Sequence, residues 1–206
     1  MRLIVLKLGG SLLTCPDLAG RLRQFWTQLL PSRLLIVVGG GTAADVVRDW
    51  SRDHSLPEET AHWLAVRSLT LTQSLVRNLL PDCREASTLA DANRLFTVND
   101  APVVLNVESY LRQAETVDSD PLPHTWSVTS DSIAAWTAAR WSADELILLK
   151  STGLPENCPV DVATELGLVD EHFCHLVGQI PKIGWCNLMD ERLVVLPWLE
   201  HGRGST

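Results

Sequence analysis

Lys7 is a charged group in an unusual setting. It lies inside an apolar strand-like run, Leu3–Leu8 (LIVLKL), directly before Gly9-Gly10-Ser11. With side chains alternating along a strand, Leu3, Val5 and Lys7 share one face, and Ile4, Leu6 and Leu8 the other. Strands of a parallel sheet are covered on both faces. Such a lysine is therefore desolvated unless the strand ends at a cleft or an anion; the alternative is an ammonium that snorkels to water. The glycines that follow let a backbone approach a phosphate, and the N–H groups at the next helix start point toward it. The design recurs at Arg33–Val38 (RLLIVV), which runs into Gly39-Gly40-Gly41-Thr42. A triple glycine also serves as a tight turn between strand and helix. Two such loops from adjacent strands, however, can hold two phosphate-bearing molecules toward each other. That arrangement suits phosphoryl transfer, in which a protein chiefly positions reactants and offsets charge. Neither loop reads GxxxxGK[ST] or GxGxxG.

These loops need elements to carry them. Pro16-Asp17 opens a helix to about Leu30 with Leu18, Leu22, Phe25, Trp26 and Leu29 on one face. A helix after the triple glycine carries Ala43, Val46, Val47 and Trp50, and Pro57 starts a long amphipathic helix to about Leu80. Glu85–Leu95 reads as helical, Pro102–Asn106 as a third buried strand, and Ala114–His124 as a surface loop. Trp126–Thr129 reads as extended, and Ser130-Asp131 caps a helix through Trp141. Glu145–Leu149 (ELILL) is a fourth buried strand, running into Lys150-Ser151-Thr152-Gly153. Short helices are expected at Val160–Leu166 and Asp170–Val177, then an edge strand at Arg192–Leu196. Strand–glycine–helix occurring twice within about fifty residues is a βαβα unit. It predicts an α/β fold, a three-layer α/β/α sandwich with a mainly parallel open sheet, in one domain over residues 1–206.

Composition narrows the partners. Seventeen Lys and Arg against 25 Asp and Glu give a net charge of −8, without a basic stripe, so a nucleic-acid partner is not expected. A small anionic substrate would need a local positive site. The five cysteines are scattered without a CxxC, and Cys174-His175, as chain neighbours, cannot converge on one ion, so no metal site is indicated. No apolar stretch reaches 18 residues, which predicts no membrane segment and a cytoplasmic protein. The eight tryptophans are expected to pack the core or an oligomer interface.

Four blocks, KLGGSLL from Lys7, VVGGGTAADVVR from Val37, TSDSIAAW from Thr129 and GQIPK ending at Lys182, resemble in order the signature segments of the amino acid kinase (carbamate kinase-like) family. The compact length, HWLAVRSLTL, WSVTSDSIA and VDEHF are most similar to the small branch containing the (aminomethyl)furanmethyl phosphate kinase of methanofuran biosynthesis. The resemblance implies an ATP-dependent, Mg2+-using phosphotransferase acting on a small phosphate- or carboxylate-bearing acceptor. A non-catalytic nucleotide- or anion-binding protein on the same scaffold is the alternative. By the same resemblance Lys7 would touch the transferring phosphoryl group. Gly9, Gly10 and Ser11 would bind nucleotide phosphates, and Gly39, Gly40 and Gly41 would line the acceptor side. Asp131 would hold two lysines in place, the second being Lys182 at the leaving ADP; the residues alone read these as a helix cap and a solvated loop lysine. Where relatives usually show a TDVDG-like turn, this chain has Lys150-Ser151-Thr152-Gly153, and uridylate kinases place a lysine there; Lys150, Ser151 and Gly153 are therefore nucleotide candidates. Arg48 and Arg67 lie on helices near the acceptor side, as anion contacts or as ordinary surface arginines. The protein is expected to be a homo-oligomer.

Overall fold

The computed structural model describes residues 1–98 and 100–201. Its centre is a seven-stranded sheet in the order β3-β4-β2-β1-β5-β6-β7. The strands are β1 (Leu3–Leu8), β2 (Arg33–Val38), β3 (Arg84–Ala86), β4 (Val103–Leu105), β5 (Glu145–Lys150), β6 (Lys182–Asn187) and β7 (Leu196–Glu200). All neighbours pair in parallel except β6 and β7, which are antiparallel. The helices are α1 (Leu18–Thr27), α2 (Gly41–Asp53), α3 (Glu58–Leu79), α4 (Leu89–Leu95), α5 (Val107–Ala114), α6 (Ser130–Arg140) and α7 (Val160–Glu165). Short 3-10 helices span Gly10–Thr14, Glu171–His175 and Val177–Gln179. This is the expected α/β fold with a mostly parallel sheet covered by helices.

The alternation read in β1 divides the core. Leu3 and Val5 pack into a cluster with residues of α3, α5 and α6, including Val66, Leu111 and Trp136. Ile4, Leu6 and Leu8 pack on the other face against Leu18, Leu22 and Phe25 of α1. Both faces of β1 are therefore dry. From β1 the chain moves to β2 on one side, and later to β5 on the other. The carboxyl ends of β1 and β5 thus flank the point where strand order reverses, the usual place for a ligand in an open α/β sheet.

Three stretches differ from the sequence reading. Arg84–Ala86 is the edge strand β3, paired with β4, and the following helix begins only at Leu89, where Thr88 Oγ1 accepts from Asp91 N at 3.1 Å. Arg-Glu-Ala favours helix locally, and strand pairing overrides that preference. Of the expected extended stretch Trp126–Thr129, Trp126 and Ser127 form a turn, while Thr129 has extended backbone. At the C-terminal side, Lys182–Asn187 is a buried strand beside β5, and the antiparallel edge is Leu196–Glu200 instead of Arg192–Leu196.

Candidate active site

Strand periodicity places two lysines on one face. Lys7 follows Leu3 and Val5 on β1, while Lys150 follows Leu146 and Leu148 on β5, and these four apolar side chains share one core cluster. Lys7 pairs in register with Leu148, so the two lysines end neighbouring strands within one pleat of each other. Facing them is Asp131 in the first turn of α6. Its Oδ1 lies 2.8 Å from Lys7 Nζ and 2.8 Å from Lys150 Nζ. Both are close charge contacts rather than well-aligned hydrogen bonds. Lys150 Nζ also donates to the Leu168 carbonyl at 2.6 Å.

The electrostatics are unbalanced. Lys7 and Asp131 are 4% and 6% exposed, so two ammoniums share one carboxylate away from water. Burial pushes the Lys150 ammonium down to about 8; Lys7 beside it acts in the same direction, and Asp131 offsets only part. Burial alone would raise the Asp131 carboxyl, but the two lysines outweigh it and hold it below the usual carboxylate range. The residual charge is one positive unit at the carboxyl ends of β1 and β5, which an arriving anion would neutralise.

Asp131 is free for the lysines because another residue caps its helix. Asp170 Oδ2 accepts from Thr129 N at 2.9 Å, Thr129 Oγ1 at 2.8 Å and Ser132 N at 3.0 Å. Asp170 Oδ1 accepts from Ser132 Oγ and, at 3.1 Å, from Phe173 N. The expected cap by Ser130-Asp131 is therefore replaced by a carboxylate some forty residues downstream. Sequence inspection read Asp170 only as a local helix start, and no short-range spacing marks its partners.

The two glycine loops pack backbone to backbone. A Cβ on Gly10 would lie 2.2 Å from Gly41 N, and Gly41 itself holds φ +53°. The N–H groups at the starts of both segments lack intrahelical acceptors by geometry. Ser11 Oγ reaches Ser151 Oγ at 2.9 Å, joining the loop after β1 to the turn after β5.

Beside these loops a cavity of about 370 Å³ runs between α2, α3 and α6. Gly10, Ser11, Gly40 and Gly41 form one wall; Arg48, His62, Trp126 and Thr129 are on others. Arg48 is held over the Trp126 ring at 5.0 Å and pairs with Asp45 at 2.9 Å. His62 is 5% exposed, and burial pushes its imidazole down to about 4.

The expected residues thus divide. Lys7, Gly9, Gly10, Ser11, Lys150 and Ser151 gather around the ends of β1 and β5, with Asp131 above them. Gly40, Gly41 and Arg48 line the cavity, and Gly39 packs against Gly10 and Ser130. Gly153 opens instead onto a separate groove with Trp185, Asn187 and Arg192. Arg67 turns to Glu108 at 3.2 Å, away from the cavity lining. Lys182 is a correction. It begins β6, parallel to β5, and lies 3.4 Å from Glu145, the first residue of β5. Glu145 and Lys150 are separated by roughly 16 Å of strand rise, so Lys182 sits at the opposite end of the sheet from Asp131. The second lysine at the carboxylate is Lys150.

The amino acid kinase family profile matches residues 2–153, a span that contains Lys7, Asp131 and Lys150 but not Lys182. No curated protein sequence matches the chain. Solved structures are similar in fold. UMP kinase from Bacillus anthracis has 14% identity and a TM-score of 0.62, with 92% of this chain and 88% of that one covered. Aspartate kinase from Synechocystis has 16% identity and a TM-score of 0.60 over 97% of this chain and 40% of that one. Uridylate kinase from Archaeoglobus fulgidus has 21% identity and a TM-score of 0.51; the match covers 74% of this chain and spans 64% of that one.

Proposed function

Because the chain belongs to the amino acid kinase family, we propose that it is an ATP-dependent phosphotransferase acting on a small phosphate- or carboxylate-bearing acceptor. One observation carries the reading: two ammoniums, one buried and one largely buried, on a single carboxylate, beside two glycine loops that meet backbone to backbone. Phosphoryl transfer spreads negative charge over the transferring group, and a fixed cationic site offsets it without reorganising at the moment of reaction. In this scheme Lys7 lies against the transferring phosphoryl group, and Lys150, with Ser11 and Ser151, takes the nucleotide phosphates. Asp131 keeps both ammoniums aimed. A phosphate or carboxylate acceptor is already nucleophilic, so no general base is required.

The acceptor occupies the cavity beyond Gly40 and Gly41, whose volume suits a small molecule. Arg48 and Trp126 offer it a cation and a flat apolar face. Among the described residues the carboxylate beside the lysines is Asp131, already shared by both, so the chain supplies no acidic cage for Mg2+. The ion would arrive on the nucleotide phosphates, where it offsets their charge. On the resemblance of HWLAVRSLTL, WSVTSDSIA and VDEHF, the acceptor is assigned to methanofuran-type one-carbon cofactor biosynthesis, in the cytoplasm.

The second reading, a non-catalytic anion-binding protein, draws on Lys150 being tied to the Leu168 carbonyl. Thermal-shift titration with Mg-ATP and Mg-ADP tests the nucleotide site that the first reading requires. Ligand at a hundredfold excess over Kd stabilises by about 2.7 kcal/mol, a shift of several degrees for a chain of this size. Lys7→Ala leaves Asp131 paired with Lys150, so the variant stays folded and loses most of that shift. No shift with either nucleotide in the wild-type protein removes the phosphotransferase reading.

A further inference from the structure

Behind the cavity wall, three ligating side chains from separate segments converge without serving the lysine cluster. His62 on α3, Glu115 at the end of α5 and His124 in the following loop present ligand atoms all within 4.8 Å of one another. The His62 and His124 rings stack at 4.3 Å between centroids. His124 Nε2 lies 3.1 Å from Glu115 Oε2, and His124 Nδ1 lies 2.5 Å from Glu59 Oε2. Two protons on His124, one donated from Nδ1 to Glu59 and one from Nε2 to Glu115, account for those two contacts, and an ion at the site would replace the Nε2 proton. Two polar atoms are left over: His62 Nε2 and Glu115 Oε1 are buried and have no hydrogen-bond partner. An orphaned nitrogen on a 95%-buried side chain is costly unless something else occupies its lone pair.

We propose that His62, Glu115 and His124 form a binding site for a zinc-class divalent ion, distinct from the Mg2+ that accompanies a nucleotide. Two imidazoles and one carboxylate are the ligand set of a borderline ion, whereas Mg2+ prefers oxygen alone. Tetrahedral coordination at about 2.0–2.2 Å sets ligand atoms roughly 3.3 Å apart, close to the separation of His124 Nε2 and Glu115 Oε2. His62 presents its ligand atom within 4.8 Å of the other two and completes the set by approaching them. The outer shell is in place: Glu59 accepts from His124 Nδ1, which turns Nε2 inward, and Glu59 is itself held by Trp63 Nε1 at 2.8 Å. Three protein ligands leave one position for water or another donor.

The site's consequence follows from what it joins. His62 also lines the 370 Å³ cavity, and His124 is followed two residues later by Trp126 on the same cavity. An ion bridging them fastens the segment from Glu115 to Thr129 to α3. It therefore sets the roof of the cavity independently of any activity at Lys7.

The test uses the full chain, freed of purification tag and chelator-stripped, titrated with Zn2+ and with Co2+ in excess Mg2+. One equivalent binds, Co2+ gives the strong visible absorption of a low-coordinate N/O site, and hydrogen exchange slows over residues 115–129. His124→Ala weakens Zn2+ at least 100-fold, and Glu59→Gln weakens it 10- to 100-fold. Glu115→Gln, which keeps side-chain shape and leaves the fold intact, also loses the ion and decides the question if His124→Ala misfolds. His172→Ala and Cys174→Ser, at the other histidine-bearing segment, leave binding unchanged. Failure to bind one equivalent of Zn2+, or unaltered binding in Glu115→Gln, overturns the proposal. So does loss of binding only in His172→Ala or Cys174→Ser.

Discussion

Lys150 lies where strand geometry, burial and like charge all act on one ammonium, so its titration reports on the whole site. Its pKa near 8 sits below the 10.5 of an unfolded lysine. Below pH 8 the group is charged in both folded and unfolded chains, and the fold bears the full cost of burying it. Between about 8 and 10.5 the fold has shed the proton and the unfolded chain still holds it, so stability rises with pH across that window. Measured against Lys150→Met, wild-type unfolding free energy should gain at most about 3 kcal/mol between pH 7 and 10. Anion binding runs the other way. Affinity for Mg-ADP should fall as pH passes 8, and Lys150→Met should be flat over that range. A wild-type affinity independent of pH from 7 to 9 would show that this ammonium does not meet the nucleotide. Lys7 was legible in the sequence because alternation within one strand is a local signal. Lys150 and Lys182 were not separable in that way. Which lysine reaches Asp131 depends on the register of β6 against β5, and nothing within Gln179–Lys182 encodes that register.

α6 shows how an element positions a residue that it does not itself cap. Its first-turn N–H groups are met by Asp170, and the same carboxylate accepts from Phe173 N at the start of the next 3-10 helix. One side chain thus ties together the segment bearing Asp131 and the segment that follows Leu168, whose carbonyl holds Lys150. Asp170→Asn keeps the shape but replaces one accepting oxygen with an NH2 group facing hydrogen-bond donors. The expected loss is about 1–3 kcal/mol, read as a lower urea midpoint and as a melting temperature several degrees down. The Mg-ATP shift should shrink as well, since Asp131 moves with its helix. An unchanged midpoint would mean that α6 is held by its packing alone. Elements with long periodic patterns, such as α1, α3, β1 and β2, were readable because burial imposes their period. The three-residue β3 is too short to carry a period, and β6 hides in a run whose strand character comes from lying beside β5.

Over the molecule as a whole, several large apolar side chains among the described residues are exposed, and three of them line up on α3. Leu71, Leu75 and Leu79 recur at four-residue spacing on α3 and are 65%, 44% and 40% exposed. Trp50 and Val46 of the adjoining α2 are exposed to a similar degree. Four-residue spacing makes one continuous ridge along a helix, the geometry by which helices of two chains interlock. A contiguous apolar stripe in an otherwise acidic chain marks an association surface more often than a solvated one. The homo-oligomer expected from the sequence would cover this stripe by laying a second copy against α3. Leu71→Glu with Leu75→Glu sets like charges against each other across that contact, at positions that do not line the cavity or touch the lysine cluster. Wild-type protein should sediment at twice the 22.8 kDa chain mass, and the double variant at the chain mass, with its Mg-ATP stabilisation retained. Wild-type protein sedimenting at 22.8 kDa over the micromolar range would leave the stripe to water and remove the dimer.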